Sequence, residues 1–569
     1  MPTLVDAVDA VINRSQAAAA NATPEDLVYL AKTLEAVGPA STAQFVSAVG
    51  DAQVARVAAA GETQTAVVQQ AGTDHAAAVS AVGTAEVQRV QTVYATDTGR
   101  LDDMRSTLRI AKLPRGNDWG GHIWTFPVIL EGGKQIGIMG RNGGGQSALL
   151  SGYDDIDFSR GHLSTVAVSP TLDPDDEFIE VNAGSWNTYA VTKKGFVYAG
   201  GYNNYGQLGH GDTNNTRFMK RIEAFVTANR KIASIRVGYD NYWQYGSAYF
   251  ITTTGEVWGV GYNGYGNLGD GTSTNRALPV RCGLLSGVID LSVSGSLSSV
   301  YAWNEAGQCW AWGKGSEGQL GLGTTTDRWT PIDSLTNVAK VLSSMGGYWN
   351  GTNHASVSAY AMALLKDGTI RTAGINPWGQ LGVGDTTQRN SWTPVPGLTG
   401  VSAIAIAGAG YQTSFAIKEG VAYAWGSNWD GACSTGDASN RTAPVECVLP
   451  PGLQGKISRI LGTGSSRYNT VFFLTNDGKL IAAGANNWGN HGTPVRGFAT
   501  TNYANLVDLP AGITISDLFC ADVNFAEAGL ATWILSSQGE LYAAGYNGHG
   551  LLGDLTYRGT NGYFRPVMF

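Results

Sequence analysis

The hydrophobic pattern of the chain changes at about residue 100. Before that point, apolar residues recur at helical spacing in two short stripes. The stripes are Leu4, Val8, Val11 and Ile12, followed by Leu27, Leu30, Leu34 and Val37. Thr23 and Pro24 supply start signals for the second stripe, and Gly38 ends it. Residues 1–38 are therefore predicted to form a short helical attachment segment.

Residues 39–99 carry a different repeat, with a period of 11 residues. Gly50, Gly61, Gly72 and Gly83 recur at that spacing, and valines keep the same phase. Such a repeat corresponds to about 3.67 residues per helical turn, which keeps an apolar stripe nearly straight. A narrow stripe of valine and alanine cannot bury itself within one chain. We predict a parallel coiled-coil stalk that makes a homotrimer through residues 39–99, with a disordered alanine-rich linker as the alternative.

From about residue 100 to the end, short β-type runs replace the helical pattern. Segments such as TYAVTKKGFVYAGG and VFFLTNDGKLIAAG each predict two strands joined by a tight turn. A glycine-rich segment, called an anchor from here on, follows each pair of strands. The eight anchors are GRNGGGQSA at 140, GYNNYGQLG at 201, GYNGYGNLG at 261, GKGSEGQLG at 313, GINPWGQLG at 374, GSNWDGACS at 426, GANNWGNHG at 484 and GYNGHGLLG at 545.

A polar segment with an arginine and then a Pro-Val strand follow most anchors, as in Arg276 to Val280. A further apolar run completes a predicted four-stranded unit, and successive anchors lie 52 to 61 residues apart. Units of this length and strand number are typical of propeller blades. The chain ends on a Pro-Val strand at 565–569, and the first unit begins near Leu108 without one. We therefore predict that the two ends complete each other in one unit and so close the ring.

The first anchor raises the question of a nucleotide site, because GRNGGGQS differs from a phosphate-binding loop at one position. That loop needs a lysine where this chain has Gln146. Gln207, Gln319 and Gln380 occupy the same place in other anchors. The glycines are therefore interpreted as turn-formers of a structural repeat, and no nucleotide site is predicted.

Composition limits the possible partners. The chain has 37 Lys+Arg against 45 Asp+Glu, a formal charge of -8, which disfavours nucleic acid because phosphate neutralisation needs a basic surface. No apolar run approaches the roughly 18 residues of a membrane span, so no membrane insertion is predicted. The five cysteines are widely spaced and contain no CxxC pair. They are predicted to be free thiols in a chain made in a reducing cytosol.

No group of residues predicts catalysis, a metal or a cofactor. The seven histidines show neither metalloprotease nor zinc spacing, and no GxSxG elbow occurs. The acidic clusters at 154–157 and 173–176 lack the closing glutamate of a calcium loop, so solvated loops are favoured over calcium sites. The sequence predicts a non-catalytic protein with no cofactor.

Aromatic residues supply the candidate binding site. In a four-stranded antiparallel blade, the anchor and the connection before the strand pair emerge at the same end, so aromatics in both should gather on one face. Exposed aromatic rings suit stacking on sugars or anchoring a protein partner. The alternative is that they cover the glycine turns and pack between blades. The candidates are Tyr205, Tyr242, Trp243, Tyr265, Tyr348, Trp349, Trp378, Trp429, Trp488 and His549.

The signature G-x-N-x-x-G-Q-L-G resembles the repeat of the regulator of chromosome condensation family over about residues 106–569. Gly201, Asn203, Gly206 and Gly209 carry it in one copy. The resemblance implies a closed β-propeller over residues 100–569. Eight anchors favour eight blades, and seven blades with an extra N-terminal hairpin are the alternative. Nucleotide exchange and histone binding are not expected, because a fold alone does not imply function.

The N-terminal third resembles the attachment and stalk segments of phage tail fibres. Together with the propeller, this resemblance predicts a virion adhesin made in the host cytoplasm. Its N-terminus would bind a tail or baseplate protein, and its propeller would bind a glycan or protein of the host surface. One alternative is a cytoplasmic propeller that binds or regulates a protein partner. Another is a polysaccharide depolymerase, which needs a carboxylate pair in a groove.

Overall fold

The computed structural model describes most of the β-rich region. The described residues are 109–114, 125–140, 164–165, 168–184, 187–238, 246–294, 299–344, 348–349, 354–355, 359–408, 410–464, 468–492, 501–510, 512–524, 529–546, 552 and 560–567. All of them belong to the unit Leu108–Phe569. The predicted attachment segment at 1–38 and the predicted stalk at 39–99 lie outside the described residues.

In the described residues, eight sheets of four or five strands follow one another along the chain, each forming one blade of a propeller, and a ninth sheet is a separate pair of short strands. Blade 1 contains β1 (Ile110–Lys112), β2 (Thr125–Leu130), β3 (Ile136–Gly140) and β4 (Ser164–Thr165), and blade 2 contains β5 (Val168–Ser169), β6 (Phe178–Ala183), β7 (Asn187–Thr192), β8 (Val197–Gly201) and β9 (Thr216–Arg221). Blade 3 contains β10 (Ile232–Gly238), β11 (Ser247–Thr252), β12 (Val257–Gly261) and β13 (Arg276–Arg281). Blade 4 contains β14 (Val288–Val293), β15 (Ser299–Asn304), β16 (Cys309–Gly313) and β17 (Arg328–Leu335).

Blades 5 to 8 follow the same plan. They contain β18 (Val338–Ser343), β21 (Tyr360–Leu365), β22 (Ile370–Gly374) and β23 (Arg389–Pro394), with the separate pair β19 (Tyr348–Trp349) and β20 (His354–Ala355); β24 (Val401–Ala407), β25 (Thr413–Lys418), β26 (Val421–Gly426) and β27 (Arg441–Glu446); β28 (Ile457–Gly464), β29 (Asn469–Thr475), β30 (Leu480–Gly484) and β31 (Thr501–Leu506); and β32 (Ile515–Asn524), β33 (Gly529–Ser536), β34 (Leu541–Tyr546) and β35 (Thr560–Pro566).

One short helix, α1 (Glu223–Thr227), follows β9. Within the described part of the chain, no helix has both the length and the apolar character that crossing a membrane requires.

Burial differs between the strands of a blade in the way a propeller requires. The first strands of neighbouring blades contact each other from β6 to β32, so they surround the ring axis. Second strands such as β11 are buried at every residue, whereas fourth strands such as β13 are half exposed. Pro279 lies on β13. Proline has no N–H for a ladder, so it is tolerated at a sheet edge, and the Pro-Val segments form the outer strands of their blades.

Among the described residues, a repeated hydrogen bond joins seven of the eight pairs of neighbouring blades. The glycine carbonyl in the turn between second and third strands accepts the amide that begins the first strand of the following blade, as in Val401 N to Gly368 O at 2.9 Å. The same bond joins the last blade to the first, from Ile110 N to Gly539 O at 2.8 Å. Phe126 also stacks on Trp533 with ring centroids 4.2 Å apart. The ring is therefore closed by ordinary contacts between blades.

The predicted number of eight blades is confirmed, but the predicted way of closing the ring is wrong. The terminal Pro-Val strand β35 pairs with β34, and β4 completes the first sheet, so neither terminus adds a strand to the other's blade. The error lay in the phase of the repeat. Each Pro-Val strand pairs with the hairpin before it, as Gly259 pairs with Val280, and so ends a blade instead of beginning one.

Candidate functional site

The anchor of blade 2 shows how the repeated motif folds. The side-chain Oδ1 of Asn203 accepts the amide of Leu208 at 2.8 Å, and its backbone carbonyl accepts Gly206 N. The Oε1 of Gln207 accepts the amide of Tyr205 at 2.9 Å. These bonds use the asparagine and glutamine of the signature to hold a tight turn. The fifth residue of the anchor, here Tyr205, is thereby fixed at the end of the blade.

Four further anchors contain the same asparagine bond. The equivalent bonds run to Asn263, Asn376, Asn428 and Asn486.

The anchor glycines are needed because the turn presses against the outer strand of the next blade. Gly379 has φ +79, and a Cβ there would lie 2.7 Å from the Cα of Thr442. Gly384 N also donates to the carbonyl of Thr442 at 2.9 Å. The structural interpretation of the glycines is thus supported in the described anchors. The first anchor beyond Gly140 lies outside the described residues.

The end of the propeller that carries the anchors is called the anchor face, and the end that carries the second-to-third-strand turns is called the hairpin face. A row of tyrosines crosses the anchor face from blade 2 to blade 3. Tyr205 meets Tyr262 edge to face at 5.7 Å between ring centroids, and Tyr262 meets Tyr265 at 6.2 Å. These three residues form the first aromatic row.

The first aromatic row ends at a cation of the chain itself. Lys314 Nζ lies 5.4 Å from the centroid of the Tyr265 ring, within cation–π range. The same ammonium group lies 3.5 Å from Oε1 of Glu317, and both side chains are only 13% exposed. Lys314 and Glu317 are the second and fifth residues of the blade 4 anchor. The row is therefore completed by an internal ion pair.

A second aromatic row crosses blades 5 and 6. Tyr411, in the connection before β25, lies between the anchor residues Trp378 and Trp429, with centroid separations of 4.9 and 5.8 Å. Anchor and connection thus meet at one face, as the sequence-based prediction requires. Trp429 is 61% exposed, whereas Trp378 and Tyr411 are half-buried. Trp429 is therefore the most accessible ring of this row.

An acidic group lies beside the second aromatic row. Asp430 follows Trp429, is 7% exposed, and accepts the amide of Asn469 at 2.9 Å through Oδ2. Burial raises the pKa of this carboxyl group to about 6. No described residue forms an ion pair with Asp430. The carboxylate, which follows Trp429 in the chain, therefore carries its charge without a cation among the described residues.

The remaining predicted residues do not join either row. Trp488 packs edge to face on Tyr546 at 5.0 Å and against the hydrophobic core, which makes it partly structural. Tyr348 and Trp349 form β19, and only their backbone is described. Tyr242, Trp243 and His549 lie outside the described residues.

Sequence reasoning missed three residues of this face. Tyr262 is the second residue of its anchor, outside the anchor position that the other aromatic candidates share. Trp329 is 49% exposed and covers Gly266 from the outer strand of blade 4. Asp430 gave no signal by residue type alone, because its burial is visible only in the fold. The pairing of lysine and glutamate in GKGSEG, against serine and aspartate in GSNWDG, was the available clue.

The described residues contain no cluster of three or more histidine, cysteine or acidic side chains that could hold a metal ion. Asp173 and Asp175 of one candidate calcium cluster bind Lys194 instead, at 3.1 and 2.5 Å. The cluster at 154–157 lies outside the described residues. His491 occupies a buried anchor position where other blades have leucine, and burial lowers its pKa to about 3. It is a neutral core residue at physiological pH.

All five cysteines are free and buried. The prediction of unpaired thiols is therefore confirmed.

Comparison with known proteins identifies the repeat type. Residues 194–241 and 306–349 match the family described as the regulator of chromosome condensation (RCC1) repeat. The ultraviolet-B receptor UVR8 of Arabidopsis thaliana is 28% identical over 282 residues, which cover 49% of this chain and 60% of the receptor. The human E3 ubiquitin-protein ligase HERC2 is 31% identical over 273 residues, 47% of this chain and 5% of the ligase. These two segments of the propeller are therefore RCC1-type repeats.

Among solved structures, yeast RCC1 (Prp20) bound to Kap60 is similar with a TM-score of 0.47 and 16% identity. The match covers 81% of this chain and 86% of that one. The chain spans less than two thirds of the length of the two curated relatives, UVR8 and HERC2.

These findings overturn the main functional prediction from the sequence. The relatives of the propeller are a plant light receptor and a ubiquitin ligase, which are cellular proteins. The prediction of a virion adhesin is therefore wrong, together with its fibre homotrimer, its tail or baseplate partner, its host-surface receptor and its virion location. The resemblance of residues 1–99 to a tail fibre misled because it rested on an alanine-rich repeat of low specificity. The alternative of a propeller that binds a protein partner agrees better with the relatives.

Proposed function

We propose that this RCC1-type propeller is a non-catalytic module that binds a partner protein through its anchor face, centred on the second aromatic row. The observation that carries the proposal is the exposure of Trp429, 61%, at the end of a row whose other members are held in place. A large aromatic side chain fixed on a rigid turn loses little conformational entropy when it is buried by a partner. Tryptophan and tyrosine are accordingly the residue types most often found at binding hot spots.

The geometry around Trp429 supports an interface core with a polar surround. Tyr411 and Trp378 supply apolar area beside it, and the buried carboxylate of Asp430, the next residue in the chain, supplies a charge. An apolar centre with polar groups around it is the usual arrangement of protein interfaces. Light reception and ubiquitin ligation are activities named for the relatives and are not transferred to this chain, because it covers only part of each.

Site-specific photo-cross-linking tests the proposal. A benzoylphenylalanine replaces Trp429 in the full chain, and a matched variant carries it at Leu284, which is 88% exposed at the hairpin face of blade 3. We expect a discrete protein adduct from position 429 in cells that express the chain, and its absence from position 284. The same adducts from both positions, or none from position 429, would contradict a binding role for this face.

A further inference from the structure

Two anchors carry an acid as their fifth residue, and they differ in whether a lysine of the same anchor pairs with that acid. In blade 4 the anchor GKGSEGQLG pairs Glu317 with Lys314, three residues earlier. In blade 6 the anchor GSNWDGACS has Asp430 at the same place, but Ser427 stands where the lysine would be. The two turns share the same backbone pattern. Gly318 N donates to Gly315 O and Gly321 N to Gly318 O in blade 4, as Gly431 N donates to Asn428 O and Ser434 N to Gly431 O in blade 6. The blade 6 anchor therefore has the acid of the blade 4 pair without its cation.

Asp430 is well placed to accept a cation from outside the chain. Its Oδ2 accepts one backbone amide, from Asn469, and no described residue donates to Oδ1. With a pKa of about 6, raised by burial, most of the carboxyl group is ionised at neutral pH. A buried carboxylate without a counter-ion is costly, so binding a cation there is favoured.

Two neutral side chains, one in the same anchor as Asp430 and one on the residue whose backbone amide Asp430 accepts, also have polar atoms without partners among the described residues. The Oγ of Ser427 and the Oδ1 of Asn469 are buried and have no hydrogen-bond partner among the described residues. Both residues are at most 2% exposed. Unsatisfied buried acceptors are rare in folded proteins and call for a missing partner. Both atoms can accept hydrogen bonds, as can Asp430 Oδ1.

The second aromatic row adds the third element of the site. Tyr411 contacts both Trp378 and Trp429, whose neighbour in the chain is Asp430. Aromatic faces attract ammonium groups, as Tyr265 attracts Lys314 in the first aromatic row. A carboxylate beside aromatic rings favours an organic ammonium over a metal ion, because a metal requires several oxygen ligands.

We propose that Asp430 and the second aromatic row together receive a lysine side chain of the partner protein, which takes the place that Lys314 fills within the chain in blade 4. The inference rests on the proposed function and names the chemistry of the partner. The lysine stem would lie along the rings, since such stems cover apolar surface while the charged end reaches a polar group. Its ammonium group would reach the Oδ1 of Asp430.

The test uses the full chain labelled with 5-fluorotryptophan and followed by ¹⁹F NMR. The Trp429→Phe variant assigns the Trp429 signal. The probe is the peptide acetyl-Gly-Lys-Gly-amide, and its matched control has norleucine in place of lysine. We expect saturable shifts of the Trp429 signal with the lysine peptide, and at least tenfold weaker response with norleucine. Equal responses to both peptides would overturn the proposal.

Three variants separate the contributions. Asp430→Asn should weaken lysine-peptide binding at least tenfold, whereas Glu317→Gln, which alters the acid already paired with Lys314, should leave it unchanged. Ser427→Lys should block the site by supplying the missing internal cation while keeping the acid. Thermal unfolding of each variant confirms that it is folded. Unchanged binding in Asp430→Asn would overturn the proposal even if Ser427→Lys fails to fold.

Failure of this inference and failure of the proposed function give different results. If position 429 still cross-links a partner but Asp430→Asn binds that partner as the wild type does, the lysine inference is wrong and the binding face stands. If the cross-linker at position 429 captures no partner protein while the lysine peptide saturates the site, the proposed binding function is wrong and the lysine site stands.

Discussion

The first and second aromatic rows are built on equivalent turns but differ in how their charge is balanced. Lys314, a residue of the chain itself, supplies a cation to the first row: it contacts the Tyr265 ring and forms an ion pair with Glu317. In the second row, Asp430 follows Trp429 in the chain and has no cation partner among the described residues, and Trp429 is largely exposed. A repeat fold thus supplies the same scaffold several times, and substitutions at two anchor positions decide which copy is self-contained and which is open to a partner.

The largest expected effect concerns the glycines of the anchor turns, on which both aromatic rows are built. Gly266→Ala and Gly379→Ala should each lower the free energy of unfolding by about 3 kcal/mol, because both glycines have positive φ and face the next blade closely. Gly397→Ala is the matched control, since Gly397 also has positive φ but nothing within 4 Å of its Cβ position. Chemical denaturation should show a loss of only about 1 kcal/mol there. Equal losses at all three positions would show that blade contact adds nothing.

The second prediction separates the rows by binding. Trp429→Ala should reduce affinity for the cross-linked partner by about 2 kcal/mol, roughly thirtyfold, because an exposed aromatic anchor is removed. Its free energy of unfolding should change by less than about 0.5 kcal/mol. Tyr205→Ala in the first aromatic row should leave affinity within about threefold of the wild type. Titration calorimetry with purified partner measures both, and a larger loss with Tyr205→Ala would reverse the assignment.

The third prediction is a difference in sign between the two acids. Asp430→Asn should stabilise the protein at pH 7 by about 1–2 kcal/mol, below the roughly 3 kcal/mol that a rise from 3.8 to about 6 would allow. Glu317→Gln should instead destabilise it by about 1 kcal/mol, because Lys314 then lacks its partner in a site that is 13% exposed.

The pH dependence of stability gives the control for that prediction. The pKa of Asp430 is raised in the folded state, so between about pH 4 and 6 the folded protein retains a proton that the unfolded chain has lost. The Asp430 contribution therefore makes stability fall as pH rises through this window, and it is constant above it. Asp430→Asn should remove that fall. The free energy of unfolding of the variant is measured at each pH by chemical denaturation. If it falls between about pH 4 and 6 as steeply as that of the wild type, Asp430 is not the responsible group.

The smallest expected effect converts one row into the other. Lys314→Ser leaves Glu317 as an acid without a cation beside Tyr265, which reproduces the blade 6 arrangement in blade 4. We expect a second, weaker lysine-peptide site, about tenfold weaker than the first because tyrosine attracts cations less than tryptophan. The stoichiometry of binding measures it. A single site in this variant would mean that the aromatic rings of the second row, and not the unpaired acid, determine recognition.

The sequence predicted the fold well because its signal was repeated. Eight anchors in one phase gave the number of blades, and the glycines and asparagines that define them form turns wherever the anchors are described. The closure of the ring was misread because hydrophobic pattern does not show which neighbour a strand pairs with. Only the register of β12 with β13 settles that Pro279 lies at the edge of the blade before it.

The candidate site was predicted less well, because residue type does not reveal exposure or charge balance. Trp378, Trp429 and Trp488 are equally prominent in the sequence, yet the structure makes Trp429 exposed and packs Trp488 against the core. Asp430 resembled any surface acid until the fold showed it buried. Such properties depend on contacts between distant segments, here between Asp430 and Asn469.

Hydrogen–deuterium exchange of the full chain, with and without the partner protein identified by cross-linking, is the decisive test of binding through the anchor face. We expect the partner to slow exchange in 410–413 and 427–433, which carry Tyr411 and the blade 6 anchor, and to leave exchange in the turns of the hairpin face unchanged. Slowed exchange confined to the hairpin face, with no protection around Trp429, would contradict it.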